Sequence, residues 1–167
     1  MSSETKPFSI SRTVNAPREL VWKVWTEKDE LMKWFGPKGT TMPTADMDLR
    51  AGGHFHYCLK TPDGGEMWGK WVFRDVLPPE KITLIHSFSD ASGGVTHHPM
   101  APTWPLTMIS TTTFTEGNGK TVIKIEWAPF NASEEEIATF DAGREGMTGG
   151  WTGTFEQLGE YLATLTQ

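Results

Sequence analysis

Apolar residues recur at every third or fourth position over the C-terminal part of the chain. The series follows Ser133, which forms a capping-box pattern with Glu136 three residues later. Residues at this spacing share one face of a helix that turns by about 100° per residue. The pattern predicts one long amphipathic helix from Ser133 to near Leu165. Its stripe contains Ile137, Phe140, Arg144, Met147, Trp151, Phe155, Leu158, Leu162 and Leu165.

The same predicted helix is rich in glycine. Its glycines are Gly143, Gly146, Gly149, Gly150, Gly153 and Gly159. Each glycine inside a helix costs about 1 kcal/mol relative to alanine, so packing has to hold the middle of this helix. On a helical wheel, Gly143 and Gly150 flank the apolar stripe, whereas Gly146, Gly149 and Gly153 lie opposite it. Whether this weakness serves a function, by letting the helix bend over a cavity, is left open.

Alternating apolar and polar residues predict strands over most of the remaining chain. Phe8 to Val14 reads as the first strand, and two short helices follow it and end at Trp34-Phe35-Gly36-Pro37. Six more strands are predicted: Asp46 to Leu49, His54 to Leu59, Glu66 to Leu77, Ile82 to Ser89, Thr107 to Glu116 and Thr121 to Trp127. This order of elements predicts an α+β fold with a curved antiparallel sheet of about seven strands.

Strand parity places most of the large side chains on one face of this sheet. The inner-face residues are Phe55, Tyr57, Leu59, Met67, Trp71, Phe73, Ile82, Leu84, His86, Phe88, Met108, Ser110, Thr112, Phe114, Ile123, Ile125 and Trp127. One helix covers so much apolar surface only if the sheet curls around it. Large aromatic side chains at this spacing fill the interior incompletely, which predicts a cavity between sheet and helix.

The segment from Asp90 to Pro105 follows neither the helical nor the strand spacing of apolar residues. Loops of this length without structure of their own are often lids or binding loops. Prolines at 99, 102 and 105 stiffen the segment, and Trp104 is too apolar to project into solvent. We expect this loop to fold over the mouth of the cavity. His97 and His98 are interpreted as a solvated pair, with ligand contact at the mouth as the alternative.

Composition restricts the class of protein. The chain has 167 residues, which suits a single domain over residues 1–167, and 21 acidic against 15 basic residues give a net charge of −6. An acidic chain is a poor partner for nucleic acid. There is no stretch of 18 apolar residues and no signal-peptide pattern at the N-terminus, so we expect a cytoplasmic protein without membrane association. The only cysteine, Cys58, rules out a disulfide framework.

Several short motifs resemble those of a known family. They are Asn15-Ala-Pro17 with Val21-Trp22, Trp34-Phe35-Gly36-Pro37, Gly52-Gly53, Pro62-Asp63-Gly64, Val76-Leu77-Pro78-Pro79-Glu80-Lys81, and Gly150-Trp151 with Leu158 and Tyr161-Leu162. They resemble the family named for the C-terminal domain of the activator of Hsp90 ATPase, within the START-like and polyketide-cyclase-like superfamily. The resemblance covers nearly the whole chain. It implies the helix-grip fold and a hydrophobic ligand held between the sheet and the C-terminal helix.

The residues expected to contact such a ligand are mostly aromatic. The predicted walls are Trp34, Phe35, Phe55, Tyr57, Trp71, Phe73, Phe88, Trp104, Trp127, Met147, Trp151 and Phe155. His86 is predicted to face inward, where an imidazole needs a partner, and Ser110 and Thr112 are its candidates. The alternative is a core histidine satisfied by these hydroxyls. Asp75 and Arg144 also lean inward on this assignment.

Metal and nucleophilic chemistry have little support. His54, His56 and Cys58 share a strand face, but parity makes it the outer face and no further ligands complete a site. The sequence has no Gly-x-Ser-x-Gly elbow, and its glycine cluster follows no strand as a phosphate loop would. We therefore expect neither a metal nor a cofactor.

Three functions remain compatible with these patterns. The first is binding of a small hydrophobic or aromatic molecule in the cavity. The second is a cyclase-like or isomerase-like enzyme that uses acid–base chemistry there, as related folds do. The third is an Hsp90 co-chaperone-like module. Hsp90 activators carry another domain before this one, whereas this chain begins directly with the first strand, so an Hsp90-type partner is not expected. A homodimer is left open.

Overall fold

The structure, a computed structural model, describes residues 6–36, 39–98 and 101–166. Its elements are β1 (Phe8–Val14), α1 (Arg18–Thr26), α2 (Lys28–Trp34), β2 (Thr41–Met47), β3 (His54–Lys60), β4 (Glu66–Leu77), β5 (Lys81–Ser89), β6 (Val95–Thr96), β7 (Thr107–Gly117), β8 (Lys120–Phe130), α3 (Glu134–Ala142) and α4 (Arg144–Leu165). Pro37 of the predicted break and Pro99 of the predicted loop lie outside the described residues.

The described strands form one antiparallel sheet of eight strands. Its order is β1-β8-β7-β5-β4-β3-β2, and β6 pairs with β5 outside this path. The predicted helix-grip fold, with two short helices after the first strand and a long C-terminal helix, is confirmed. The additional strand is β6, where Thr96 pairs with Phe88 and Val95 with Ser89. The segment predicted to lack structure of its own is therefore partly attached to the sheet.

Strand β2 begins earlier than the sequence indicated. It covers Thr41–Met47, whereas the prediction began at Asp46. A register shift between Thr41 and Thr44 interrupts the alternation, and Pro43 lies within it. Proline lacks the N–H that a central strand needs, but β2 is an edge strand, where proline is tolerated. Because the bulge and the proline interrupt the alternation of apolar and polar residues, the sequence pattern did not indicate a strand before Asp46.

The predicted single C-terminal helix is two helices. The capping box is present, with Ser133 Oγ accepting from the Glu136 amide at 3.1 Å and Glu136 Oε1 accepting from the Ser133 amide at 3.0 Å. The helix is interrupted at Gly143, whose φ of −94° and ψ of 9° are not helical. A Cβ at Gly143 would lie 2.9 Å from Cζ3 of Trp104, so glycine admits the indole ring at the interruption. No described helix combines the length and apolar character needed to cross a bilayer.

The parity assignment of the inner face holds for the centre of the sheet. Phe55, Phe73, Ile82, Ile123 and Ile125 are all buried, and they pack against α4 and the short helices in one hydrophobic core. This core fixes the curvature of the sheet and the position of α4.

Cys58 departs from its predicted exposure. It was assigned to the outer face, yet it is only 2% exposed. Its cross-strand neighbours are Thr44 and Trp68, whose side chains flank it on the same face. Burial raises the pKa of the Cys58 thiol, and the charge of Glu66 adds to the rise. The thiol thus lies just beneath the surface and is protonated at neutral pH.

Candidate functional site

A cavity of about 570 Å³ lies between the inner face of the sheet and α4. Strands β3, β4, β5, β7 and β8 contribute its floor, and α4 and the segment before β7 contribute its other walls. Pockets for small molecules typically measure about 300–1,000 Å³. The cavity is therefore large enough for a molecule with several rings.

Most predicted site residues, all of which the structure describes, line this cavity. They are Phe35, Tyr57, Trp71, His86, Phe88, Trp104, Ser110, Thr112, Trp127, Met147 and Trp151. Residues far apart in sequence are brought together because the sheet curls around α4. The four remaining residues are part of the solid core.

Trp34 and Phe155 belong to this core and not to the cavity. The Trp34 indole donates to the carbonyl of Val24 at 3.0 Å, which turns the ring toward α1. Phe155 is 1% exposed and lies behind Trp151, with 5.4 Å between ring centroids. Both residues support the cavity from behind, so including them in the predicted wall was wrong.

Phe55 and Phe73 are also displaced from the wall by a neighbour. Phe55 packs on Trp71 with 4.7 Å between centroids, and Phe73 meets the edge of the same indole at 6.2 Å. Trp71 lies between them and the cavity. Parity correctly assigned all three to the inner face, but it does not distinguish the first layer of side chains from the second.

Several lining residues were not among the predicted site residues, although parity had placed Leu59, Met67, Leu84 and Met108 on the inner face and His98 was an alternative ligand contact. They include Trp25, Leu59, Met67, Leu84, His98, Met108, Thr154 and the glycines Gly143, Gly146 and Gly150. Gly146 had been assigned to the face opposite the stripe, yet it lines the cavity, which therefore extends around α4 beyond the apolar stripe. The signal for the glycines was available: they are spaced by three and four residues, as on one helical face.

His86 is a largely buried polar side chain in the cavity lining. Its ring lies 4.5 Å from the ring of Trp127, centroid to centroid, and its Nε2 is buried with no hydrogen-bond partner among the described residues. Burial lowers the pKa of His86 to about 4. The residue is surrounded by protein and keeps some accessible surface only because it lines the cavity. At neutral pH the imidazole is therefore uncharged.

Ser110 and Thr112 lie beside His86 on the next strand. In the register of β5 and β7, His86 faces Met108, and Ser110 and Thr112 follow on the same side of the sheet. Both are 5% exposed and line the cavity. They do not satisfy His86 Nε2, so the alternative of a fully satisfied core histidine is wrong. His86 and Ser110, which is opposite Leu84, instead form a polar end of a mostly apolar cavity, and Thr112 lies two residues further along β7 opposite Ile82.

Tyr57 is held in place by its neighbours on β4. It pairs directly with Gly69, and a Cβ there would lie 2.5 Å from Cζ of the tyrosine ring. Burial raises the pKa of Tyr57 to about 12, and a hydrogen bond with the Trp71 side chain opposes this rise. The phenol is therefore protonated at neutral pH. The Tyr57 hydroxyl is a further polar group in the cavity lining, contributed by β3.

Trp151 connects the aromatic residues of the cavity wall. Its ring stacks on Trp25 with a 6° interplanar angle at 6.2 Å and meets Trp127 edge-on at 5.8 Å. It also lies edge-on to Phe35 at 6.3 Å. Edge-to-face and stacked pairs are favourable arrangements of aromatic rings. Residues from α1, β8 and α4 are thereby fixed relative to one another.

The segment before β7 closes one side of the cavity. Trp104 lines the cavity and packs on Phe140 with 6.0 Å between centroids. The hydroxyls of Thr103 and Thr139 are hydrogen-bonded at 2.9 Å, which attaches the segment to α3. His98 also lines the cavity, whereas its neighbour His97 is exposed.

Asp75 and Arg144 do not face the cavity. A register shift between Phe73 and Asp75 reverses the side of the sheet on which the aspartate lies, and Asp75 is exposed. Arg144 begins α4 and pairs with Asp141 at 2.8 Å, while also donating to the carbonyl of Lys6. The expected inward orientation was wrong for both residues.

The histidines of β3 have separate partners on the outer face. His54 Nε2 lies 2.6 Å from Asp46 Oδ2, and this contact lowers the pKa of Asp46. His56 bonds to the carbonyl of Asp90 at 3.0 Å and stacks on Trp68. Within the described ranges, no three histidine, cysteine or acidic side chains form a group suited to a metal ion.

Solved structures with the same fold come from several bacteria. A protein from Arthrobacter aurescens has a TM-score of 0.77 and 24% identity, covering 98% of this chain and 90% of its own. One from Mycobacterium smegmatis has a TM-score of 0.75 and 24% identity, covering 96% and 93%. One from Nitrosomonas europaea has a TM-score of 0.74 and 22% identity, covering 95% of each chain. At such identities the similarity shows the fold alone.

A sequence profile identifies the family. The search of curated proteins gives no match. Residues 15–163, which include both short helices, the sheet after β1 and nearly all of α4, match the profile described as Activator of Hsp90 ATPase homolog 1-like protein. The match covers most of the chain and agrees with the resemblance of the short motifs. The chain therefore belongs to the family of Activator of Hsp90 ATPase homolog 1-like proteins.

Proposed function

We propose that this protein binds a small, largely apolar molecule in the cavity between the sheet and α4. The observation that carries the proposal is a cavity of about 570 Å³ with aromatic walls and a buried imidazole. Small-molecule sites typically combine apolar walls with a few polar groups that orient the ligand. His86, Ser110 and Thr112 occupy that role here.

Burial of apolar surface supplies most of the affinity. Removing about 250 Å² of apolar ligand surface from water contributes about 6 kcal/mol at about 25 cal/mol per Å². Part of this is lost to immobilising the ligand. The wall rings are already fixed against one another through Trp151, so little further free energy is spent on ordering them.

His86 orients the ligand through a hydrogen bond to its imidazole ring. A buried polar atom without a hydrogen-bond partner costs about 1–3 kcal/mol, and Nε2 has none in the described part of the chain. A ligand hydroxyl, carbonyl or amide placed against the ring removes this cost. The neutral imidazole either donates or accepts, depending on its tautomer.

The pKa values of two lining residues favour binding over acid–base catalysis. The pKa of His86 is lowered to about 4 and that of Tyr57 is raised to about 12. Efficient general acids and bases have pKa values near the working pH. Neither residue is tuned for proton transfer at neutral pH, so the enzyme alternative has no support from them.

Native mass spectrometry of the purified protein tests the proposal. We expect a retained small molecule, or uptake of an added neutral aromatic probe, at one equivalent per chain. Gly150→Leu should abolish this adduct because the position lines the cavity and no described atom lies within 4 Å of its Cβ site.

Gly149→Leu is the matched control. It makes the same substitution one residue earlier, at an exposed position outside the cavity lining, and the adduct should persist. A wild-type protein that takes up no neutral probe, or an adduct that survives Gly150→Leu, would contradict binding in this cavity.

A further inference from the structure

In the described part of the cavity lining, histidines are the only side chains able to carry a positive charge, and no acidic side chain is present. The chain carries 21 acidic and 15 basic residues, yet none of them is among the described residues that line the cavity. The titratable side chains in that lining are Tyr57, His86 and His98. This composition separates the cavity from sites that hold ionic ligands with a buried countercharge.

We propose that the cavity selects electrically neutral ligands. The preferred occupant is a mostly apolar molecule with one uncharged hydrogen-bonding group, such as a hydroxyl, carbonyl or amide, placed against His86. Carboxylates, sulfonates and ammonium ions of the same size are rejected. This inference rests on the proposed function and narrows the chemical class of its ligand.

An anionic group would lack a countercharge in this cavity. A buried carboxylate is favourable only if a cation or several donors replace the lost water. Two cations on neighbouring elements are engaged elsewhere: Lys70 Nζ donates to the carbonyl of Gly93 at 3.0 Å, and Arg144 pairs with Asp141. His86 is neutral, so the polar end of the cavity offers hydrogen bonds but no full charge.

A cationic group is the closer competitor because aromatic faces attract cations. The wall rings, however, are largely turned toward one another. Phe35 lies edge-on to Trp71 at 86°, and Trp127 lies edge-on to Trp151 at 74°. Faces engaged in these contacts are less available to a ligand. With no carboxylate among the described lining residues, desolvation of the cation outweighs the attraction that remains.

Competition among three ten-carbon ligands tests the proposal. The fluorescent reporter is N-phenyl-1-naphthylamine, which is neutral. The competitors at neutral pH are 1-decanol, used below its solubility limit, and decanoate and decylammonium, used below their micelle concentrations. We expect decanol to displace the reporter at a concentration at least about tenfold lower than either ion, since burial of an unpaired ion is the larger cost.

A positive charge introduced into the cavity lining should change the relative affinities of the three competitors. Met147→Lys introduces a cation at a position that lines the cavity, with a side chain about as long as the one it replaces, and Gly149→Lys adds the same charge at an exposed position outside the lining. Decanoate should gain about tenfold relative to decanol with the first variant and be unchanged with the second. The paired variants separate a local countercharge from the change in net charge.

The outcomes distinguish this inference from the proposed function. If the reporter binds and all three competitors displace it equally, charge selection is overturned while ligand binding stands. If decanoate gains equally with Gly149→Lys, the lining does not determine the preference and the inference fails. If wild type does not bind the reporter at all, the proposed function itself is overturned.

Discussion

The two halves of α4 face the same sheet but are packed differently. In the C-terminal half, Phe155, Leu158 and Leu162 are 1%, 0% and 3% exposed and belong to the hydrophobic core, and only a smaller cavity of about 230 Å³ beside β1 borders Phe155 and Leu162 among the described residues. In the N-terminal half, Met147 and Trp151 are each 8% exposed and border the cavity. The amphipathic pattern continues through both halves, so the pattern does not explain the difference.

Side-chain size explains it. Where the C-terminal half presents large residues at helical spacing, the N-terminal half presents Gly143, Gly146 and Gly150. Missing side chains leave volume that the sheet does not fill, and the glycines also lower the stability of the helix. One half of the helix therefore packs into the core, and the other half borders the cavity.

The largest expected effect contrasts truncations in the two halves. Leu158→Ala should lower the free energy of unfolding by about 2–5 kcal/mol because it opens a void in the solid core. Met147→Ala should cost about 1 kcal/mol, since its side chain already borders empty volume and loses fewer contacts. Chemical denaturation of both variants measures the difference. Equal losses would show that the two halves are packed alike.

The second prediction concerns the polar end of the cavity. The unfolded chain binds a proton at His86 with a pKa near 6.5, whereas the folded protein binds it only near pH 4. The folded state therefore binds fewer protons between these values, and the free energy of unfolding falls as the pH is lowered. The loss reaches about 3 kcal/mol, at about 1.4 kcal/mol per pH unit. His86→Gln should abolish this component.

Carboxyl groups begin to titrate at the lower end of this range, so the difference between the two proteins is the quantity to measure. The pKa values of Asp63 and Asp90 are lowered by hydrogen bonds, and their stabilisation is also lost as the pH falls. Both proteins share that contribution. Parallel curves of unfolding free energy against pH would show that His86 is not buried in a neutral state.

The smallest effect concerns ligand exchange. Gly149→Ala should stabilise the N-terminal half of α4 by up to about 1 kcal/mol without changing the cavity, because this exposed residue is not part of the lining. If this half opens to admit the ligand, association and dissociation should both slow by severalfold while the affinity stays within about twofold. Stopped-flow fluorescence with a neutral probe measures both rates.

Hydrogen exchange tests the premise of that prediction independently. Amides from Gly143 to Gly153 should exchange faster than those of β7 and β8, which lie within the sheet. Protection equal to that of these strands would show that α4 does not open locally. The Trp104 segment would then be the remaining route for a ligand.

The sequence predicted the fold and the inner face of the sheet, because both depend on local periodicity. It missed features that arise from contacts between distant residues. The interruption at Gly143 accommodates Trp104 from another segment, and the reversal of Asp75 follows from a bulge that alternation does not reveal. The spacing of apolar residues along the chain predicts neither the interruption nor the reversal.

For the candidate site, the sequence predicted the face of the sheet but not which side chains on that face reach the cavity. Parity places Trp71 and Phe73 on one face, but only the packed structure shows that Trp71 lies in front. Gly146 lines the cavity although it lies away from the apolar stripe on the helical wheel. Sequence periodicity thus identifies the face from which a cavity is built, and tertiary packing determines which side chains reach it.

The pairing of Tyr57 with Gly69 restricts how this cavity can evolve. The two residues are direct partners across β3 and β4, and the ring lies over the glycine backbone. Loss of the hydroxyl alone would not make room for a side chain at position 69, because Cζ already lies 2.5 Å from the Cβ site. An aromatic ring in this orientation at position 57 therefore leaves no room for a side chain at position 69, and we expect the two positions to vary together among relatives that keep this register.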